Sequence, residues 1–349
     1  MKAGAIIPVR RTRLIAAFVA ALMFATNVAP AGEIGHYAPG VASIRDYTVP
    51  DAGFYGALSN YWYSTSRLND QNGNKISAIT INPGPRPGVT LSVDADIAAY
   101  SLSPQFTWVS DWRVFGARYA AYIAPSFANS SVAASLASAG GRGISRDLAS
   151  SFGVADLFVQ PFWLGWSLPH WEIALGYGFY APTGRYSTES VTLPGRGRTT
   201  VEASDNLGLG FWEHQIQGAV TWYPWADQRM AVLAALTYGI PRDKQGFDLT
   251  PGQNLSLNWG ISHYLPLSKD QTLLLELGVT GYDSWQLTND TGSDATNPNV
   301  QDEVHAVGLQ LGLTFVPQTL TLNLLVLYEF VAKDRFQGTS LGLNLAKKF

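Results

Sequence analysis

The residues of this chain whose types could do chemistry are five histidines and a set of charged positions. The histidines are His36, His170, His214, His263 and His305. Imidazole serves as a proton carrier or metal ligand, and the metal motifs legible in a sequence set histidines at short fixed spacings. No two of these histidines lie at metal-ligand spacing, and His-Glu-x-x-His does not occur. A serine nucleophile would need a Ser/His pair held on one strand face, and no strand offers an evident pair at adjacent positions of one parity. The chain has no cysteine, which excludes a thiolate nucleophile, a disulfide and a cysteine metal site. Gly176-Tyr177-Gly178 and Gly308 to Gly312 lack the strand–turn–helix setting of a phosphate loop and read as small positions facing a lumen. The expectation is a protein without catalysis, metal or cofactor.

The elements that position these residues repeat with a period of two. In 319–331, Leu320, Leu322, Leu324, Val326, Tyr328 and Phe330 alternate with Thr321, Asn323, Leu325, Leu327, Glu329 and Val331. A helix would collect Leu320, Leu324 and Leu327 on one stripe but would scatter the polar residues, so the segment is a strand. The same dyad recurs in 89–97, 171–179, 255–265, 307–315 and 341–349. One face is large and apolar; the other is Gly, Ser, Asn, Thr, Ala and acids. A sandwich would fill its inner face with branched residues, whereas a membrane barrel turns the apolar face to lipid and keeps a polar lumen. Several segments run to 12 residues or more, and soluble strands average about five or six. Aromatics sit at strand ends (Trp108, Trp112, Trp163, Trp166, Trp222, Trp225, Tyr264, Trp285), where interfacial girdles belong.

Composition agrees. Of 349 residues, 46% are hydrophobic but only 14% charged, against about 25% charged in ordinary globular chains. Mean hydropathy is only +0.03, and after Gly32 no apolar run is long enough for a spanning helix. Residues 1–13 are basic, Leu14 to Val28 is apolar, and Ala29-Pro30-Ala31 fits signal-peptide cleavage, so 1–31 is expected to be a cleaved signal peptide. Residues 1–31 carry four bases and no acid, leaving 19 basic and 26 acidic residues, a net −7. That balance argues against nucleic acid.

Twelve strands are expected, near 54–66, 88–109, 112–125, 152–166, 169–181, 207–224, 229–241, 251–266, 271–288, 301–316, 319–335 and 338–349. Ten or fourteen remain open, because Pro104 can split the second. Short links (110–111, 167–168, 225–228, 266–270, 317–318) alternate with long ones, as periplasmic turns and outer loops do, except that the last outer link, near 335–338, is short. The fold class is therefore all-β, a transmembrane antiparallel barrel over 54–349. Residues 32–53 precede it as either a plug inside the lumen or a disordered periplasmic tail. The terminal Phe349 suits recognition by the barrel-assembly machinery. The basic tips at 140–143 and 195–198 suit either contact with lipopolysaccharide phosphates or plain solvation.

Strand parity points Asp94, Asp96, Arg118, Asp156, Glu172, Glu213, Glu276 and Glu329 inward, because a charge facing lipid at mid-depth costs roughly 2–4 kcal/mol for Lys or Arg. Phe158, Phe162 and Tyr180 share that parity and are candidates for an apolar lumen pocket. His214 and His263 fall on the lipid side. The acid excess would favour cations in an open pore, or else pair with Arg118 and fix a plug.

At this point the chain resembles the outer-membrane family of "meta-pathway of phenol degradation" proteins, within the FadL-type superfamily of hydrophobic-compound channels. The matching pieces, in order, are Gly35-His36-Tyr37-Ala38-Pro39-Gly40, Pro50 to Tyr55 with Asn60-Tyr61-Trp62-Tyr63, Ala181-Pro182-Thr183-Gly184-Arg185-Tyr186, Asn206-Leu207-Gly208 with Phe211-Trp212, Val220-Thr221-Trp222-Tyr223-Pro224, Gln286-Leu287-Thr288 with Asp290, and Gln337-Gly338. The resemblance implies a barrel that helps small aromatic or other hydrophobic compounds cross the outer membrane of a Gram-negative bacterium, with lipid and lipopolysaccharide as surroundings; passive uptake is expected because no nucleotide-binding motif is present. A diffusion pore for hydrophilic or cationic solutes, and a structural or adhesive barrel acting through its loops, are the alternatives.

Overall fold

A computed structural model describes residues 34–81, 89–138, 143–193, 197–203, 205–295 and 298–349. The signal segment 1–31 and the loop tips at 140–142 and 195–196 lie outside the described residues. Among those described there is no α-helix.

The strands in chain order are β1 Gly53–Thr65, β2 Ala78–Ile81, β3 Val89–Val114, β4 Ala117–Ala124, β5 Phe127–Ser138, β6 Gly143–Ala149, β7 Gly153–Val154, β8 Leu157–Leu168, β9 Trp171–Ala181, β10 Thr188–Leu193, β11 Gly197–Glu202, β12 Glu213–Trp222, β13 Met230–Pro241, β14 Asn254–Pro266, β15 Leu273–Gln286, β16 Glu303–Phe315, β17 Leu320–Lys333 and β18 Thr339–Lys348. Twelve of them (β1, β3, β4, β8, β9 and β12 to β18) form an antiparallel barrel, closed where β1 pairs with both β18 and β3. Closure leaves the twelve-strand wall without a free edge, as a sheet in lipid requires.

The tight links gather at one end and the long loops at the other. One expected turn is displaced. The chain does not reverse at 110–111; β3 continues to Val114 and turns at Phe115 and Gly116, both at positive φ (50° and 78°). Two consecutive left-handed residues make the turn whose twist suits a hairpin. A register shift between Val109 and Arg113 absorbs the extra residues. Two expected strands also begin later, at Leu157 and Glu213. The expected loops near 126–151 and 182–206 contain the hairpins β5–β6 and β10–β11; β5 pairs along the first half of β3 and carries the sheet beyond the barrel.

The outward face divides by depth as a lipid-embedded surface should. Ile173, Leu175, Ile216, Val220, Leu236, Ile261, Val279, Leu309, Leu311 and Leu324 are exposed in mid-wall. Exposed aromatics flank them: Phe54, Trp108, Trp112, Trp171, Trp222 and Trp225 at the tight-turn end, and Trp62, Phe152, Trp212, Tyr328 and Phe330 at the long-loop end.

Candidate functional site

The inward face is small and polar, and residues 34–51 run through the space it encloses. The segment begins at the long-loop end and descends to the tight turns before entering β1. Along the way it touches most of the wall. The Gly40 amide donates to Asn258 Oδ1 of β14 (2.9 Å), and the Ile44 amide donates to Gln310 Oε1 of β16 (2.9 Å). Asn344 Nδ2 of β18 donates to the Val41 carbonyl (2.7 Å), and Asn258 Nδ2 donates to Tyr37 Oη (2.9 Å). An irregular segment away from water needs its backbone groups paired, and side chains of the wall supply the partners.

Apolar anchors fit between these bonds. Ile44 is fully buried, and a β-carbon at Gly260 would stand 2.6 Å from its Cγ1. At Gly278 a β-carbon would stand 2.8 Å from its Cδ1. Val49 is 1% exposed and sits against Gly165 in the same way. Together with Tyr47 they pack on Ala120, Ala174, Ala219, Ala231 and Ala235. The small residues of the wall are thus the sockets of the segment.

Charges fasten both ends. Near the tight turns, Arg45 Nε donates to the buried Glu276 Oε1 (2.8 Å), its other nitrogens donate to the Gln228 and Arg229 carbonyls, and the guanidinium lies 4.0 Å from the Tyr264 ring centroid. At the mouth itself, Arg118 bonds Asp51 (2.8 Å), Ser167 and Glu172 (3.3 Å). At the long-loop end His36 is held by two carboxylates. Its Nε2 lies 2.9 Å from Asp156 Oδ2 and its Nδ1 2.9 Å from Glu213 Oε2, which also accepts the His36 amide (2.6 Å). An ionised carboxylate only accepts, so two such contacts require a proton on each ring nitrogen. Burial works against that charge, but the bonds to Asp156 and Glu213 outweigh it and hold the His36 pKa above the ordinary 6.5. Burial opposes ionisation of Asp156 as well. The bonds from His36 and the amides of Leu209 and Gly184 nevertheless hold its carboxyl below the ordinary range.

Aromatic rings complete this end. Tyr180 stacks on the His36 ring at 4.8 Å, and Phe211 meets it edge-on at 4.7 Å. Phe158 lies 4.5 Å from Tyr180 and 5.5 Å from Tyr122, which in turn is 5.8 Å from Trp163. The result is an aromatic wall beside the threaded segment.

The structure therefore brings together Arg118, Asp156, Phe158, Glu172, Tyr180, Glu213 and Glu276 around residues 34–51. Glu329 is also inward and buried, but it accepts from Tyr63 Oη (2.8 Å), Tyr282 Oη (2.8 Å) and the Gly338 amide (2.6 Å) and touches none of that segment. Three expected lumen residues face elsewhere. Phe162 is 56% exposed on the lipid side, because a register shift between Val159 and Phe162 reverses the parity midway along β8. Asp94 and Asp96 lie on the part of β3 that pairs with β5 beyond the barrel, in phase with the outward Phe106 and Trp108, and both are exposed. His36, Arg45 and Ile44 are missing from the expected set because they sit in a segment without periodicity. Only the inward parity of Asn258, Gln310, Asn344, Gly260 and Gly278 hints that something must lie against them.

The sequence matches the family named for the MetA pathway of phenol degradation over residues 65–204 and 201–345. No curated protein matches it. Among solved structures it is similar to the COG4313 outer membrane channel from Pseudomonas putida F1, at 16% identity and a TM-score of 0.59, covering 88% of this chain and all of that one. The beta domain of the Bordetella autotransporter BrkA is more distant, at 10% identity and a TM-score of 0.44 over 86% of this chain and all of that one.

Proposed function

Since the chain belongs to the family named for the MetA pathway of phenol degradation, we propose that it is an outer-membrane channel for passive entry of small hydrophobic, aromatic compounds, with residues 34–51 as its resident plug. The observation that carries this reading is the seating of that segment. Its anchors are buried against β8, β14 and β15, and its polar groups are matched by β12, β16 and β18. A general diffusion pore works by keeping a wide aqueous path, and a fastened plug works against that. A compound that partitions into apolar surroundings finds an aromatic lining in Tyr122, Phe158, Trp163 and Tyr180 beside the plug. Passive entry is favoured by the sequence, in which no nucleotide-binding motif is found.

The test is uptake of a labelled monoaromatic hydrocarbon by intact Gram-negative cells with and without this chain. Intact cells are needed because the lipopolysaccharide layer is the barrier that such compounds do not cross unaided. Faster aromatic entry with unchanged entry of a small sugar supports the reading. No gain for the aromatic, or a gain for the sugar alone, overturns it.

A further inference from the structure

We infer that the cage formed by Asp156, Glu213, Tyr180 and Phe211 is a binding site for flat organic cations bearing two N–H donors, such as imidazolium or amidinium groups. The plug's His36 occupies it as a tethered ligand, and a free cation of that class displaces the outer end of the plug. This inference rests on the plug reading above.

The geometry argues for a ligand site more than for a simple fastening. A fastening needs one good ion pair. Here two carboxylates converge on the two edges of one ring, and a tyrosine and a phenylalanine cover its face and edge. Flat cations are attracted to aromatic faces, and the stacked tyrosine ring, 16° from parallel, selects flatness. The charge count is also unbalanced, with two carboxylates against one imidazolium. Glu213 is fully buried, and its Oε1 has no hydrogen-bond partner. A neutral ring in place of His36 would leave two carboxylates away from water without a counter-charge, which is strongly unfavourable. Selectivity for a cation thus comes from what the cage rejects as much as from what it binds. Among the described residues, the charged groups facing the ring belong to this cage: Asp156 ahead of β8 and Glu213 on β12, with Tyr180 of β9 and Phe211 from the loop before β12 closing the remaining sides.

The chain has no cysteine, so a spin label on an Ala38→Cys variant reports from one place. Ala38 is exposed and stands two residues from His36. In the refolded full-length barrel at pH 6 the label is expected to be immobile, and imidazole, largely protonated there, is expected to mobilise it saturably in the millimolar range. Pyrazole, of the same shape but neutral at that pH, is the control and should be at least tenfold weaker. Titration calorimetry on His36→Ala, with the cage unoccupied by the plug, should show imidazolium binding at least tenfold tighter than to the parent. Adding Glu213→Gln should remove that gain. Heat-modifiable migration on gels checks that each variant is folded, and the label experiment needs no change at His36. An immobile label that imidazolium leaves immobile, or equal effects of imidazole and pyrazole, overturns the cation site and leaves the plug intact. A label already mobile without ligand overturns the plug reading itself.

Discussion

Gly260→Ala is a one-carbon change whose effect on the plug and on the barrel should have opposite signs. The added methyl would stand 2.6 Å from Ile44 Cγ1 and 2.8 Å from its Cδ1, where carbon atoms normally settle at about 3.5–4.0 Å. Ile44 is fully buried, and its Cδ1 is seated against Gly278 of the neighbouring strand as well, where a β-carbon would stand 2.8 Å from it. Overpacking of this kind costs about 1–3 kcal/mol, a shift of about 5- to 150-fold in the seated fraction. The barrel strand itself gains, because glycine in a strand is about 0.5–1 kcal/mol worse than alanine. The assay is tryptic cleavage after Arg45, whose guanidinium is clamped by Glu276 and reaches a protease only when the segment leaves the lumen. Cleavage should accelerate within that range while the barrel melts no lower. Ile44→Ala alone should also loosen the plug, by about 2–5 kcal/mol. The double variant should cost less than the sum, with a coupling of about 0.5–3 kcal/mol, because the new methyl fills part of the void. Unchanged cleavage in Gly260→Ala, or strict additivity in the pair, would refute the socket argument.

Three further outcomes follow from the same contacts. The outer latch should hold at acidic to neutral pH and release as pH rises through the elevated His36 pKa, since a raised pKa stabilises the seated form only while the ring is protonated. It should fail again in strong acid, as pH falls through the lowered pKa of Asp156; a mobility–pH curve of the Ala38→Cys label that stays flat above pH 6.5 would contradict this. Arg45→Met strands the buried Glu276 and should cost about 3–5 kcal/mol of plug seating. Arg118→Met should cost about 0–1 kcal/mol, since its partner Asp51 is 85% exposed; equal chymotryptic cleavage after the buried Tyr47 in the two variants would be inconsistent with the burial difference. A spin label on Phe162→Cys should be relaxed by oxygen from the lipid and one on Phe158→Cys should not, and the reverse order would remove the register shift in β8.

How much of this was legible in the sequence depends on whether a residue sits in a periodic segment. The dyad of β17 places Leu324 and Val326 outward and Leu325 and Leu327 inward, and the burial follows it residue for residue. The reading fails where one residue is inserted. Pro161 follows Gln160, which is fully buried, and precedes Phe162, which is exposed, so the parity carried from Phe158 no longer holds. A slip of one residue exchanges the two faces. Asp94 and Asp96 were misplaced for a different reason: alternation reports two faces but does not say where along a 26-residue strand the barrel ends. At 110–111, Ser-Asp carries more turn character than Phe-Gly, yet a tight hairpin needs two left-handed residues, and the chain finds them at Phe115 and Gly116. Residues 34–51 have no period to read. Their place is specified by partners more than 100 residues away, such as Asp156 and Gln310.

The acid excess of the lumen is where sequence and structure meet. Among the described residues, Asp156, Glu213 and Glu276 form no ion pair with a base of the wall, and each is met by a cation of the plug, His36 or Arg45. Wall and plug are therefore electrostatically complementary, with one wall carboxylate in excess. Deleting residues 34–48 should convert the barrel into an open pore whose wall retains those three carboxylates unmatched. The expected result is a steady conductance in planar bilayers with a reversal potential of cation-selective sign in a potassium chloride gradient. The selectivity should weaken as salt rises and screens the wall. Adding Glu276→Gln and Glu213→Gln to the deletion should move the reversal potential toward zero. An open pore that prefers anions, or a selectivity indifferent to both substitutions, would show that the acids answer to something other than the plug. A deletion that folds but conducts nothing would place the barrier elsewhere in the barrel, and the seating contacts of Ile44 and Val49 would then be structural without being a gate.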